Sequence, residues 1–254
     1  MENKNMKNEY DLKLKISNGK AEEIYSREKN IWIGVSISLK EYSDIEAQKY
    51  LKFATKYSKE KAFVVIADDI AAINNKILGK GYEKRYPLEM ARATGDLWKE
   101  RYQENIRKLK LEKKVEILRW RNIWTEKREE QYQILKKESE TNLNIRHGII
   151  EPMIYYLKCR GRNANQKRID GLSEYVLREL PFLLDGIEYS GIKAKCLFYP
   201  SYNMKQNLTE LSCEIQKNPK FEDLRNRLDI KGDLSIIDTK IEDELFNILK
   251  MIRV

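Results

Sequence analysis

Apolar and polar positions fall into blocks of different period along the chain, and the blocks predict strands alternating with helices. Asn30 to Ser38 reads NIWIGVSIS, an apolar, β-branched run with one glycine, the pattern of a strand buried on both faces. Ala62 to Ala67 (AFVVIA) is a second such run, closed by Asp68-Asp69. Between them, Tyr42 to Glu60 has helical spacing, with Ile45, Tyr50, Leu51 and Ala54 inward. Strand, helix, strand makes a βαβ unit, so a parallel sheet with a right-handed crossover is expected. Upstream, Tyr10, Leu12, Leu14 and Ile16 alternate with charged residues, as in a half-exposed edge strand, and Ser17-Asn18-Gly19-Lys20 reads as a turn.

Downstream, Asp68 to Leu78 predicts a short helix ending at Gly79. Pro87 opens a helical region expected to run, with breaks, to about Glu140. Trp98, Tyr102, Ile106 and Leu109 form one stripe there, and Val115, Ile117 and Leu118 a second. Ile149 to Arg160 reads as an amphipathic helix that tolerates Pro152 only in its first turn. Leu172 to Leu180 is a helix expected to stop at Pro181, and Ile192 to Tyr199 a strand broken by Pro200. Short helices are expected over 208–216, 221–228 and 241–252, and disorder over 1–9. No repeat or linker divides the 254 residues, so a single α/β domain is predicted.

Composition narrows the partner. Lys+Arg total 49 against Asp+Glu 40, a net charge of +9, which suggests a polyanion: nucleic acid or an anionic membrane surface. No apolar run approaches the roughly 20 residues of a membrane span, and the amino terminus lacks a signal-peptide pattern, so a cytoplasmic protein is expected. Cys159, Cys196 and Cys213 are an odd number without a close pair, suggesting neither a disulfide framework nor a zinc site. His147 is the single histidine; it excludes multi-histidine metal sites and leaves a Ser-His-Asp triad only that one residue. Ser38 stands where a hydrolase nucleophile turn needs a second glycine. Gly79-Lys80-Gly81 follows a helix and lacks the third glycine of a dinucleotide loop, and no phosphate-cradling Gly-Lys-Ser/Thr motif occurs. The basic positions of the 87–140 region, among them Lys99, Arg101, Arg107 and Lys108, read either as a solvated helix face balanced by glutamates or as a phosphate-binding face.

Ligands of open α/β sheets bind at the carboxyl ends of the strands, which puts Ser36 where chemistry is usually done. Tyr175 and Glu179 stand at i and i+4 of one helix, followed by Leu180-Pro181-Phe182. A later strand ends Leu197-Phe198-Tyr199-Pro200. Together with Gly34-Val35-Ser36, these motifs resemble the tRNA-dependent cyclodipeptide synthase family, over roughly residues 30–200. Pro200 after the tyrosine and Leu39 three beyond the serine resemble the Tyr-Pro subfamily. Asn30, where many members have histidine, and Trp32, where an aliphatic residue is usual, depart from the pattern.

The resemblance implies a Rossmann-like parallel sheet flanked by helices, similar to the class I aminoacyl-tRNA synthetase catalytic domain but without the ATP site. It implies a monomeric, cofactor-free and metal-free enzyme that joins the amino acids of two aminoacyl-tRNAs into a cyclic dipeptide. Ser36 would be the nucleophile, Tyr175 and Glu179 would hold the first amino group, and Tyr199 would shape the site. Lys99, Arg101, Arg107 and Lys108 would meet tRNA. Trp32, Gly34, Phe182, Val64 or Val65, and Ile66 would line the first pocket, with Leu39 and Pro200 nearby; two large aromatics there predict a small first residue such as alanine. A second pocket is expected from the Pro152–Tyr156 helix and the segment after Tyr199. A non-catalytic RNA-binding protein on this scaffold, and a transferase passing the amino acid to another acceptor, are the alternatives.

Overall fold

The computed structural model describes residues 13–37, 44–159, 161–199 and 206–240. The chain begins with β1 (Lys13–Asn18), α1 (Ala21–Tyr25), β2 (Ile31–Val35), α2 (Asp44–Tyr57) and β3 (Ala62–Ile66). It continues through α3 (Asp68–Leu78), α4 (Tyr82–Arg85), α5 (Pro87–Lys108), β4 (Val115–Arg119), α6 (Trp120–Ile123) and α7 (Glu126–Thr141). Then come α8 (Leu143–Cys159), α9 (Gln166–Asp185), β5 (Ile187–Tyr189), β6 (Ile192–Ala194) and β7 (Cys196–Tyr199). The last elements are α10 (Gln206–Lys217), α11 (Glu222–Leu228) and β8 (Ser235–Lys240).

The main sheet has the order β1-β8-β7-β2-β3-β4. Five strands, β8 to β4, run parallel, and β1 closes the edge antiparallel to β8. The central strands β2, β3 and β7 are continuous apolar runs because both faces are covered. Their alternation divides the core in two. Trp32, Phe63, Val65, Leu118, Leu197 and Ile236 face the helical layer that contains α7 to α11. Ile33, Val35, Val64, Ile66, Phe198 and Ile237 face α2 and the second half of α5. Each fully buried side chain of this kind contributes roughly 1.5–3 kcal/mol. Asn30 pins the amino end of β2: its Oδ1 accepts from the backbone N–H of Glu60 at 2.7 Å and of Lys61 at 3.0 Å, and its Nδ2 donates to Lys193 O at 3.1 Å.

Several elements differ from the sequence reading. Val115–Arg119 is a strand, not a second helical stripe: α5 ends at Lys108, and Lys110 at φ 56° turns the chain into β4. Ile192 to Tyr199 is two strands. Ser190 and Gly191, both at positive φ, make the tight turn of a β5–β6 hairpin, and only β7 enters the main sheet. Pro152 and Pro181 lie inside α8 and α9. At Pro181 the helix end is held by side chains instead, because Arg128 donates to Pro181 O at 3.2 Å and to Gly186 O at 2.8 Å, and Gln216 donates to Leu183 O at 3.2 Å. Ile45 points to solvent, whereas Tyr50, Leu51 and Ala54 are buried as expected. Strand β8 was absent from the sequence reading. Tyr10 to Leu12 of the predicted edge strand, residues 1–9 and the predicted helix over 241–252 lie outside the described residues. Among the described residues no helix is long and apolar enough to cross a membrane.

Candidate active site

Ser36 is the first residue after β2 and is half-buried at the carboxyl end of that strand. The neighbours of β2 are β7 on one side and β3 on the other, both parallel to it, so three carboxyl ends meet there. Ala67 N–H donates to Val35 O at 3.0 Å, closing the sheet just before Ser36. Strand alternation puts Trp32 and Gly34 on the face covered by α9. Gly34 is in register with Val65, whose side chain belongs to that same face.

Helix α9 builds the opposing wall. Asn165 caps it, accepting from Arg168 N–H at 3.0 Å, and Ile169, Leu172, Val176, Leu177, Leu180 and Leu184 bury its inner stripe. Near its start, Gly171 lies so close to Ile77 of α3 that a Cβ there would come within 2.4 Å of Ile77 Cδ1. Further on, Phe182 packs edge-on against Trp120, just past the end of β4, with ring centres 4.7 Å apart. Tyr175 and Glu179 lie between these contacts along α9. Glu179 is buried and Tyr175 half-buried against the core. Burial pushes the Tyr175 phenol well above its ordinary range, and the Glu179 carboxylate and the Tyr156 phenol push it further, so it stays a neutral donor. Tyr156 of α8 is thus part of this wall. The sequence placed its helix near a second pocket but gave Tyr156 no role.

The outer side of α9 is locked by a network that sequence spacing did not reveal. Glu174 accepts from Tyr132 Oη at 2.7 and 2.8 Å and from Arg178 Nε at 2.7 Å. The Arg178 guanidinium lies over the rings of Tyr132 and Trp124, at 4.5 and 5.1 Å. The buried Arg128 guanidinium stacks on Phe182 at 4.9 Å; burial lowers its pKa, and Asp185 partly restores it.

The predicted first-pocket residues do not all assemble. Trp32, Gly34, Val65 and Phe182 share one face. Val64 and Ile66 point to the other, because the two-residue period of β3 turns them toward α2 and α5. Phe182 is fully buried among Trp120, Trp124 and Arg128. Tyr199 ends β7, which pairs with β2 from Ile31 to Ile33; its side chain, like Leu39 and Pro200, lies outside what is described. The four basic residues expected to bind tRNA do not form one face. Arg101 pairs with Asp44 at 2.6 Å and Lys108 with Glu104 at 2.6 Å. At about 100° per residue, Lys99 falls on the opposite flank of α5 and Arg107 points outward. A groove of about 460 Å³ between α8 and α10, lined by His147, Glu151, Glu210 and Glu214 among others, contains none of the site residues.

No protein-family model and no curated protein sequence matches the chain. Solved structures do. A cyclodipeptide synthase from Bacillus thermoamylovorans superposes with a TM-score of 0.69 at 20% identity, covering 90% of this chain and 96% of that one. A Mycobacterium tuberculosis protein, described as demonstrating that cyclodipeptide synthetases are related to type I tRNA synthetases, gives 0.64 at 13% identity, covering 89% and 91%. A cyclodipeptide synthase from Candidatus Glomeribacter gigasporarum, bound to Phe-tRNAPhe, gives 0.53 at 18% identity, covering 84% and 88%. The chain therefore has the cyclodipeptide synthase fold, a parallel five-stranded sheet flanked by helices.

Proposed function

We propose that this fold carries the activity its motifs suggest: a cyclodipeptide synthase that draws both amino acids from aminoacyl-tRNAs. The features that support it most are the half-buried serine at the end of β2, on the face covered by α9, and the buried Glu179 and neutral Tyr175 that this helix carries. Ser36 Oγ attacks the carbonyl carbon of the first aminoacyl ester. The bond to the ribose oxygen breaks, the hydroxyl proton passes to that oxygen, and the amino acid stays on Ser36. Its amine then attacks the ester carbonyl of the second aminoacyl-tRNA; the bond to that ribose oxygen breaks, the oxygen takes a proton from the amine, and a dipeptidyl-serine is left. The new terminal amine attacks the serine ester, closes the ring and returns the proton to Oγ. Each acyl donor is already an activated ester, so the sequence runs without ATP.

Glu179 and Tyr175 hold the first amino group by a charge-assisted contact and a phenol hydrogen bond. Tyr199 shapes the serine's surroundings, and Leu39 and Pro200 support a place in the Tyr-Pro subfamily. With His147 on a groove that holds none of these groups, the substrate's own amine and ribose hydroxyl carry the protons. Trp32 and Phe182, with Val65, reduce the first pocket to a small side chain such as that of alanine. The enzyme works as a cytoplasmic monomer.

The test is mass spectrometry of medium from cells expressing the wild type and Ser36→Ala. Cyclic dipeptides from the wild type alone support the reading, as does an intact-protein mass with one aminoacyl group on Ser36. A linear aminoacylated product points to a transferase, and tRNA binding without any product to a non-catalytic RNA-binding protein; either overturns it.

A further inference from the structure

Helices α3 and α5 form an antiparallel hairpin that rises beyond the carboxyl edge of the sheet. Asp69 pairs with Arg92 near its base, and Asn75 donates to Pro87 O near its tip. The 11 residues of α3 carry that tip about 16 Å from the strand ends. Below Asp96, α5 packs along the sheet, so Arg101 to Lys108 lie away from Ser36 while the tip stands over its side of the molecule.

The tip is built unlike the rest of the surface. Tyr82 is 72% exposed and Tyr86 42%, with ring centres 6.3 Å apart and ring planes 20° from parallel. The Arg85 guanidinium lies 5.3 Å from the centre of the Tyr86 ring. Lys76, Lys80, Lys84 and Arg85 are all exposed, and Glu83 is the one carboxylate from residue 76 to 88. Ring pairs one turn apart can steady a helix, but α4 has four residues and buries none of them, so the pair has little fold to support.

We infer that Tyr82 and Tyr86 form a stacking platform for an unpaired base at the 3′ end of tRNA, with Lys80, Lys84 and Arg85 gripping the adjacent phosphates. The ligand class rests on the proposed function; the charge selects a nucleic acid over a neutral partner, and the open rings select an unpaired base over a duplex. Base stacking on aromatics needs no particular base, because every base has a π-face. The double-helical acceptor stem offers phosphates only, whereas its single-stranded 3′ end, which carries the amino acid, offers open base faces.

Binding of deacylated tRNA to the full chain tests this. The Tyr82→Ala, Tyr86→Ala double variant should raise Kd about tenfold, and the Phe, Phe variant should stay within about twofold of the wild type. The alanine change should leave the slope of log K against log salt unaltered, whereas Lys84→Ala should reduce it by about 1. On tRNA trimmed of its unpaired 3′ nucleotides, the wild type should fall to the level of the alanine variant. Equal binding by the wild type and the alanine variant, or a phenylalanine variant as weak as the alanine one, overturns the inference. So does a wild-type dimer that the alanine variant loses while its tRNA binding is unchanged; that result assigns the patch to a second copy. Wild type that binds no tRNA overturns this inference and the proposed function together. Wild type that makes a Ser36-dependent cyclic dipeptide beside an equally tight alanine variant overturns the inference alone.

Discussion

Arg119, the last residue of β4, is paired with Asp68, the first residue of α3, and both side chains are withdrawn from solvent. The same guanidinium reaches Asp96 and donates to Arg92 O at 3.0 Å, while Asp68 accepts from Trp120 N–H at 3.2 Å. Burial opposes the charge on Arg119, and the hydrogen bonds to Asp68 and Asp96 outweigh it, so its pKa is raised. Gly95 permits the approach, since a Cβ there would come within 2.8 Å of the guanidinium. One buried cation thus ties two strand ends to the base of the α3–α5 hairpin. Asp68→Ala should cost about 3–5 kcal/mol in urea unfolding, because it strands that cation. Asp96, whose side chain is 64% exposed, should lose far less when changed to Asn, because water screens that pair. Equal effects from the two would disprove this ranking.

Tyr102 of α5 is fully buried, and its hydroxyl has no hydrogen-bond partner among the described residues. Burial pushes its pKa far up, so the hydroxyl stays neutral and its desolvation goes unrepaid. Tyr102→Phe keeps the ring packed against Trp98 and should stabilise the protein by about 1 kcal/mol, seen as a higher Tm. A lower Tm would show that the hydroxyl is satisfied.

Opposite faces of the sheet should give separable phenotypes. Trp32→Leu enlarges the face shared with Gly34 and Val65, so under the proposed function the cyclic dipeptides should shift toward larger first residues. Val64→Ala, on the α2 and α5 face, should lower stability and leave the product ratio alone. Product profiles read by mass spectrometry decide the matter, and an unchanged profile in Trp32→Leu removes that residue from the pocket.

Burial pushes the Cys196 thiol up to about 12. Its folded pKa is above the ordinary value of 9.0, so the neutral thiol contributes stability that is complete below pH 9 and declines as pH rises from there toward 12. At pH 8 the native protein should resist alkylation at Cys196, and urea should expose it. Peptide mapping after iodoacetamide treatment reads this directly; native labelling as fast as labelling in urea would refute it.

The sequence displayed whatever depends on local period. NIWIGVS and AFVVIA are buried parallel strands, the stripe from Trp98 to Ile106 is a buried helix face, and the Tyr175–Glu179 spacing lies on one helix. It hid what depends on a partner far along the chain. Val115 to Arg119 looked helical because strong helices flank it, and only its ladder to β3 makes it a strand. Pro181 looked like a stop because the donors that finish α9, from Arg128 and Gln216, lie 53 and 33 residues away. Val64 and Val65 could not be told apart until the pleat was known. Asn30 departed from the family pattern, and its bonds to Glu60, Lys61 and Lys193 show a strand fastener at the end remote from Ser36.

The placement of β8 between β1 and β7 has a consequence for biosynthesis. Lys13 pairs with Lys240, so the first described strand waits for the last described strand before it has a neighbour. On the ribosome, β2, β3 and β4 can join early, but β7, which flanks β2 on its other side, emerges more than 160 residues after β2 begins. A nascent chain therefore carries Ser36 on an open sheet edge until α9 and β7 arrive. Arrival of α9 and β7 is the step that both shields that edge from aggregation and covers the candidate site.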